Sequence, residues 1–294
     1  MFKTIKKWYA DRKINILVLS PPQIIILGFF SLIVLGTVLL SMPFATRSGH
    51  SVSFINAFFT ATSATCVTGL VVLDTATTWN AFGQTIIILL IQIGGLGIMS
   101  MATLLSLIMR RRLGLKERLT IQESMNEFNL QGIVKLLKYI LTATFIIEFT
   151  GAVILSFRFI PLFGVKSGIA KSIFHSISAF CNAGFDIMGS KGNEFTSLTQ
   201  FTNDPVILLT IASLFILGGL GFIVWRDVIN KKRFPKLMLH TKVVLIASGL
   251  FIILGTFIIL TTEYNNLQTI GNMPFFQKLL NSFFPSSNTK NSRF

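Results

Sequence analysis

Residues 51–70 read Ser51-Val-Ser-Phe-Ile-Asn-Ala-Phe-Phe-Thr-Ala-Thr-Ser-Ala-Thr-Cys-Val-Thr-Gly-Leu70. The stretch is too apolar for an exposed loop and too broken by small and hydroxyl residues for a helix that crosses a bilayer. Residues 168–187, from Gly168 to Ile187, have the same character. Aligning Gly69 with Gly184 places Phe59 on Phe174, Ser63 on Ser178, Ala64 on Ala179 and Cys66 on Cys181. Further along, Gly94-Gly95-Leu96-Gly97 matches Gly218-Gly219-Leu220-Gly221. Two motifs in the same order in both copies indicate an internal repeat.

Long apolar runs surround both copies. Gln23–Met42, Gln84–Ile108, Tyr139–Ile160, Val206–Trp225 and Val243–Thr262 each approach the roughly 20 residues an α-helix needs to cross the hydrocarbon core. The whole chain of 294 residues is 52% hydrophobic and 13% charged, with mean hydropathy +0.70. That is too few charges to cover a water-soluble domain of this size, so the fold class is an all-α membrane protein. The net charge of +15 is a topology signal. Lysines and arginines gather in residues 1–22, 109–138 and 226–242, including Arg110-Arg111-Arg112 and Lys231-Lys232-Arg233. Residues 43–83 and 161–205 carry only Arg47, Lys166, Lys171 and Lys191. The positive-inside rule then puts the N-terminus and both basic loops in the cytoplasm. The basic residues sit just past helix ends, which argues against a nucleic-acid patch. No cleavable signal peptide is expected, because the first apolar run has full spanning length.

The semi-apolar loops therefore lie on the outer side and dip back into the membrane. Non-helical backbone at that depth is tolerated only against protein or beside water. A short helix such as Ile55–Ser63 or Ser172–Ala179 would descend, and a glycine-centred stretch would return. Backbone carbonyls presented to an axis replace the hydration shell of a cation, and glycine permits the unusual φ/ψ this needs. Helix C-terminal ends aimed at the same spot add partial negative charge. The candidate filter residues are Val67, Thr68, Gly69, Asn182, Ala183 and Gly184. Either loop alone would read as an ordinary turn; their shared position and flanks favour an ion path.

Gly94, Gly95, Gly97, Gly218, Gly219 and Gly221 are read as helix-packing positions, with a hinge as the secondary reading. Cys66 and Cys181 are read as small buried fillers behind the loops, and two cysteines form no disulfide framework. Glu148, inside an apolar run, is either a functional carboxylate or a packing contact. Trp79 and Trp225 fall at span ends, as interface anchors do. No metal site, cofactor or enzyme chemistry is expected: His50, His175 and His240 are dispersed, and no nucleophile–base pair stands out.

These motifs resemble the Trk/Ktr/HKT superfamily of cation transporters, and most closely the KtrB-type membrane subunit. The resemblance rests on Ala61–Leu70, on Gln-Ile-Gly-Gly-Leu-Gly-Ile-Met at 92–99 and on Leu-Thr-Ile-Gln-Glu-Ser at 119–124. Ser-Ala-Phe-Cys-Asn-Ala-Gly-Phe-Asp at 178–186 and Gly-Gly-Leu-Gly-Phe at 218–222 complete it, so it runs from residue 21 to about 284. It implies helix–pore-loop–helix repeats around one pore axis, each with a filter glycine that favours potassium; Gly69 and Gly184 match two of them. It also implies potassium uptake across the bacterial cytoplasmic membrane, a homodimer, and a cytosolic nucleotide-binding regulatory ring of the KtrA type. Arg110–Arg118 and Arg226–Lys236 would face that ring or the anionic lipid surface. Leu119, Ile121, Met125 and Phe128 would form one apolar face of a cytoplasmic helix lying on either.

The expected organisation is a cytoplasmic segment 1–20, pore repeat 1 at 21–112, an amphipathic linker at 113–134, pore repeat 2 at 135–236 and an incomplete repeat 3 at 237–294. In the last of these, Leu280–Phe284 resembles the opening of a descending helix, and Arg293 falls where the first loop has Gly69. Permitted codons for Asn288–Phe294, read one nucleotide later, give Thr-Gln-Arg-Thr-Ala-Gly-Phe, which resembles a filter loop of the family. A frameshift near codon 285, truncating the product in the third of four repeats and impairing transport by this chain alone, is therefore expected. The alternatives are a short subunit completed by a second chain and a non-transporting membrane scaffold.

Overall fold

The computed structural model describes residues 21–97, 133–266 and 269–289. Its longer helices are α1 (Pro21–Ser41), α2 (Phe54–Thr65), α3 (Ala81–Leu96), α4 (Ile133–Phe163) and α5 (Val165–Phe180). They continue as α6 (Pro205–Leu220), α7 (Phe222–Lys231), α8 (Leu239–Glu263) and α9 (Phe275–Thr289). Among the described residues the only extended pairings are isolated bridges, Thr46 with Trp79 and Ser190 with Asn193. The fold is all-α, as the apolar runs imply.

Helix starts follow side-chain chemistry. Asn80 accepts from the amides of Phe82 and Gly83 at 2.9 and 3.1 Å, opening α3, while its own amide donates to the carbonyls of Phe44 and Thr46. Asp204 does the same for α6, accepting from Val206 and Ile207, with Pro205 in the first turn where its missing N–H leaves nothing unsatisfied. Helix ends at α3 and α6 fall to Gly97 and Gly221, with φ of 83° and 85° that an L side chain rarely adopts.

Helices α1, α4 and α8 have the length and apolar composition of membrane spans, and the bent pair α6–α7 adds a fourth candidate. The expected single span Val206–Trp225 is corrected: Gly221 breaks it, and α7 leaves α6 at 93°. Trp225 fastens this bend, its Nε1 donating to the Leu217 carbonyl at 3.1 Å and its ring edge-on to Phe180. It is half-buried there. Trp79 departs further from the anchor reading, being fully buried. Its carbonyl accepts from Arg47 and Gln84, so it ties the α1–α2 connection to the start of α3. The expected span Gln84–Ile108 begins three residues early, and its helix stops at Leu96. Its remainder from residue 98, linker residues 113–132 with Leu119, Ile121, Met125 and Phe128, and Arg110–Arg118 lie outside the described residues, and α4 opens at Ile133, taking in the last two residues of the expected linker.

Within the chain, α1 packs on α2 and α3, and α4 packs on α5 and α6. Between these groups α3 lies against α5, and α6 against α9. Each glycine-ended helix thus meets the short helix of the following group. Phe149, Phe157, Phe251 and Phe257 point outward, where lipid tails are as apolar as the core. Helix α9 begins at Phe275, ahead of Leu280–Phe284, and runs through Pro285; Arg293 lies outside the described residues.

Candidate functional site

The first loop hangs from the C-terminal end of α2. The amide of Val67 donates to the Ala64 carbonyl at 3.2 Å and that of Thr68 to the Ser63 carbonyl at 2.8 Å. This is a Schellman closure, which needs a left-handed residue at Val67, and Val67 has φ of 55°. Glycine or asparagine usually fills such a position; a β-branched residue there is strained, at roughly 1–3 kcal/mol. Gly69 is left-handed again at φ 74°. The Ser63 hydroxyl then donates to the Leu70 carbonyl at 2.6 Å, stapling the far end of the loop to the helix. The Thr68 hydroxyl donates to Ser63 Oγ at 2.8 Å.

The second loop repeats the two amide bonds and the serine bond on α5; the Thr68 hydroxyl bond has no counterpart, because Ala183 stands in its place. Asn182 donates to Ala179 at 2.9 Å, Ala183 to Ser178 at 2.8 Å, and the Ser178 hydroxyl to the Phe185 carbonyl at 2.6 Å. Asn182 and Gly184 hold φ of 58° and 73°. The two loops share one buried cluster: Ala183 and Phe185 lie in it with Ala57, Ala61 and Ala64, while Val67 and Cys181 pack on its margin.

The glycine motifs seat the helix ends. A Cβ on Gly94 would stand 1.9 Å from the Thr65 carbonyl oxygen, and one on Gly218 would stand 1.8 Å from that of Phe180. The last carbonyls of α2 and α5 are therefore approached by backbone that no other residue type permits. Gly95 takes Cys181, whose Sγ and Cβ would lie 2.7 and 2.8 Å from an added Cβ. Gly97 and Gly221 end their helices, and Gly219 sits half-buried on α6. Cys66 corrects the buried-filler reading. It is exposed, whereas Cys181, set against Gly95 of α3, is half-buried.

Three contacts were not foreseen from the sequence. Gly36 of α1 and Gly151 of α4, which coincide when Gly69 is aligned with Gly184, face matching positions: a leucine of α3 or α6 and a small residue of α2 or α5. An added Cβ would meet Leu90 Cδ1 at 2.7 Å and Ala61 in one case, Leu214 Cδ1 at 2.8 Å and Ser176 Oγ in the other. The alignment register itself carried that signal. Buried Asp74 accepts from the amides of Thr77 and Phe195 at 2.7 and 2.9 Å, tying the α2–α3 connection to the α5–α6 connection. Gln92, a lone amide in an apolar run, donates to both carboxylate oxygens of Glu148 at 3.0 and 3.1 Å, so the intramembrane carboxylate has a partner. Among the described residues no group of three His, Cys, Asp or Glu side chains could hold a metal ion. His175 is buried against Phe159 and Phe174, as an aromatic packing residue is.

Comparison with known proteins gives a consistent set. The TrkH family, described as a cation transport protein, matches residues 1–242. Potassium/sodium uptake protein NtpJ of Enterococcus hirae is 46% identical over 268 residues, covering 91% of this chain and 58% of that protein. Ktr system potassium uptake protein B of Bacillus subtilis is 40% identical over 284 residues, covering 97% of this chain and 62% of that protein. Its namesake in Vibrio alginolyticus is 38% identical over 275 residues, covering 93% and 59%. The chain spans about three fifths of the length of these relatives.

Proposed function

Because the chain belongs to the TrkH family of cation transport proteins, we propose that residues 66–70 and 181–185 are two strands of a potassium-selective filter in the pore-forming membrane subunit of a Ktr-type uptake system. One observation carries the reading: both loops hang from a helix C-terminus by the same bonds, with left-handed residues at 67 and 69 and again at 182 and 184. Left-handed residues at alternate positions turn successive peptide planes alike, so that carbonyl oxygens accumulate on one side of the strand. Rows of such oxygens replace the water around a dehydrated monovalent cation. Gly69 and Gly184 leave the approach free of side chains, and the C-terminal ends of α2 and α5 add partial negative charge.

The protein lies in the bacterial cytoplasmic membrane with its N-terminus and the basic α7–α8 turn inside. The intact assembly is a homodimer on a cytosolic nucleotide-binding ring of the KtrA type, with K+ the transported ion and no cofactor in this chain. Such a ring recognises cytoplasmic surface, where Lys231, Lys232, Arg233 and Lys236 stand exposed.

A cysteine at Thr68 or Ala183, in a chain otherwise free of cysteine and held in lipid nanodiscs, tests the filter reading. Potassium should slow its modification by a small methanethiosulfonate reagent and sodium should not. Equal rates in both ions overturn the reading.

A further inference from the structure

We propose that Gln92 and Glu148 form a positioning pair that fixes the first residue of the second filter strand, Cys181, against α3. The pair links two structural groups: Gln92 belongs to α3, and Glu148 belongs to α4. Both side chains are buried, at 6% and 4% exposure. The Gln92 amide nitrogen is committed to the carboxylate at 3.0 and 3.1 Å. That fixes the other end of the amide, and its oxygen accepts from the Cys181 thiol at 3.9 Å. The Glu148 backbone is held as well, its carbonyl accepting from the Ser176 hydroxyl of α5 at 2.6 Å.

Cys181 is the last residue before the left-handed Asn182, so its position sets where the strand begins. Gly95 confines it by shape and Gln92 by hydrogen bonding. An isolated carboxylate in this setting would be expensive, and a lone buried amide costly to a lesser degree. Together they satisfy each other, which makes them directional where apolar packing is not. The registers aligning Gly94 with Gly218 and Gly69 with Gly184 place Ile216 opposite Gln92 and Ile33 opposite Glu148. The polar pair therefore occurs at this junction without a counterpart in the other copy, and it distinguishes one filter strand from the other. Polar pairs in otherwise apolar contacts serve elsewhere to set register.

The proposal rests on the filter reading only for the name of the strand. Its test follows the Cys181 thiol and does not depend on ion transport. In the full chain with Cys66→Ser, reconstituted in nanodiscs, maleimide labelling of Cys181 is timed by mass shift, and folding is checked by thermal melting. Glu148→Ala and Gln92→Ala should each speed labelling on the order of tenfold, the factor expected from losing one buried hydrogen bond. Glu148→Gln preserves an acceptor for Gln92 and should label near the parent rate. The double variant Gln92→Ile/Glu148→Ile installs the residues of the other copy. It guards against misfolding of a chain with one uncompensated partner, and it too should label faster. Labelling of the double variant at the parent rate overturns the proposal. So does labelling of Glu148→Gln as fast as Glu148→Ala.

Discussion

The Ser63 hydroxyl donates to the Leu70 carbonyl seven residues on at 2.6 Å, joining the last turn of α2 to the far end of the loop. Ser178 makes the same bond to Phe185 at the same length. Both serines are buried, so no water competes for the hydroxyl. Ser63→Ala and Ser178→Ala should each lower stability by about 0.5–1.5 kcal/mol, the net contribution of a typical intramolecular hydrogen bond. Thermal melting in detergent micelles measures this. A loss confined to one of the two sites would show that the loops are not equivalently held.

Val67 carries backbone strain that its counterpart Asn182 relieves by residue type. Val67→Asn should therefore raise stability by about 1 kcal/mol, since asparagine tolerates the left-handed region far better than a β-branched residue. The melting temperature of that variant is the readout, and a fall would mean that packing of the valine methyls outweighs the relief.

Close approach at the glycine motifs predicts a sharp contrast within one residue type. Gly94→Ala and Gly218→Ala drive a methyl into the carbonyls of Thr65 and Phe180, which are backbone and cannot rotate away. Losses of about 1–3 kcal/mol or more are expected from such overpacking. Gly249 of α8 has open space around its missing Cβ. Gly249→Ala should be neutral or stabilising by up to about 1 kcal/mol through helix propensity. Protease resistance of the three variants in parallel distinguishes them.

Asp204 has two roles that substitution can separate. Its carboxylate caps α6 and also pairs with Arg158 at 2.6 Å, an arginine whose side chain is half exposed. Asp204→Asn keeps an acceptor for the cap and loses only the exposed pair, which should change stability by less than about 1 kcal/mol. Asp204→Ala removes both and should cost about 1–2 kcal/mol. Denaturant unfolding of the two variants measures the difference.

Much of the fold was legible because the bilayer imposes it: apolar runs at Gln23–Met42, Tyr139–Ile160 and Val243–Thr262 fall on α1, α4 and α8, although α4 starts six residues earlier, at Ile133. Asn80 and Asp204 open α3 and α6 with an ordinary capping chemistry. Val206–Trp225 misled because Gly221 looks apolar to a hydropathy count, although its φ of 85° turns the chain. Trp79 misled because a tryptophan beside a span usually marks the headgroup layer, whereas here the connection from α1 folds over it. At the candidate filter, Gly69 and Gly184 could be located by alignment, but the left-handed Val67 and Asn182 could not. Valine does not announce that conformation and asparagine only permits it; it follows from how each helix closes.

By itself the amino-acid order determined that this is an all-α membrane protein and which glycines fall at matching places in two similar stretches. Those properties are local, set by transfer of side chains into hydrocarbon and by backbone freedom at single residues. Tertiary structure alone decided which copy touches which: Gln92 reaching Glu148, Gly95 receiving Cys181, Asp74 holding the amide of Phe195. Such contacts join residues far apart in the chain, and their energies depend on distances of a few ångströms that no pattern along one dimension can specify.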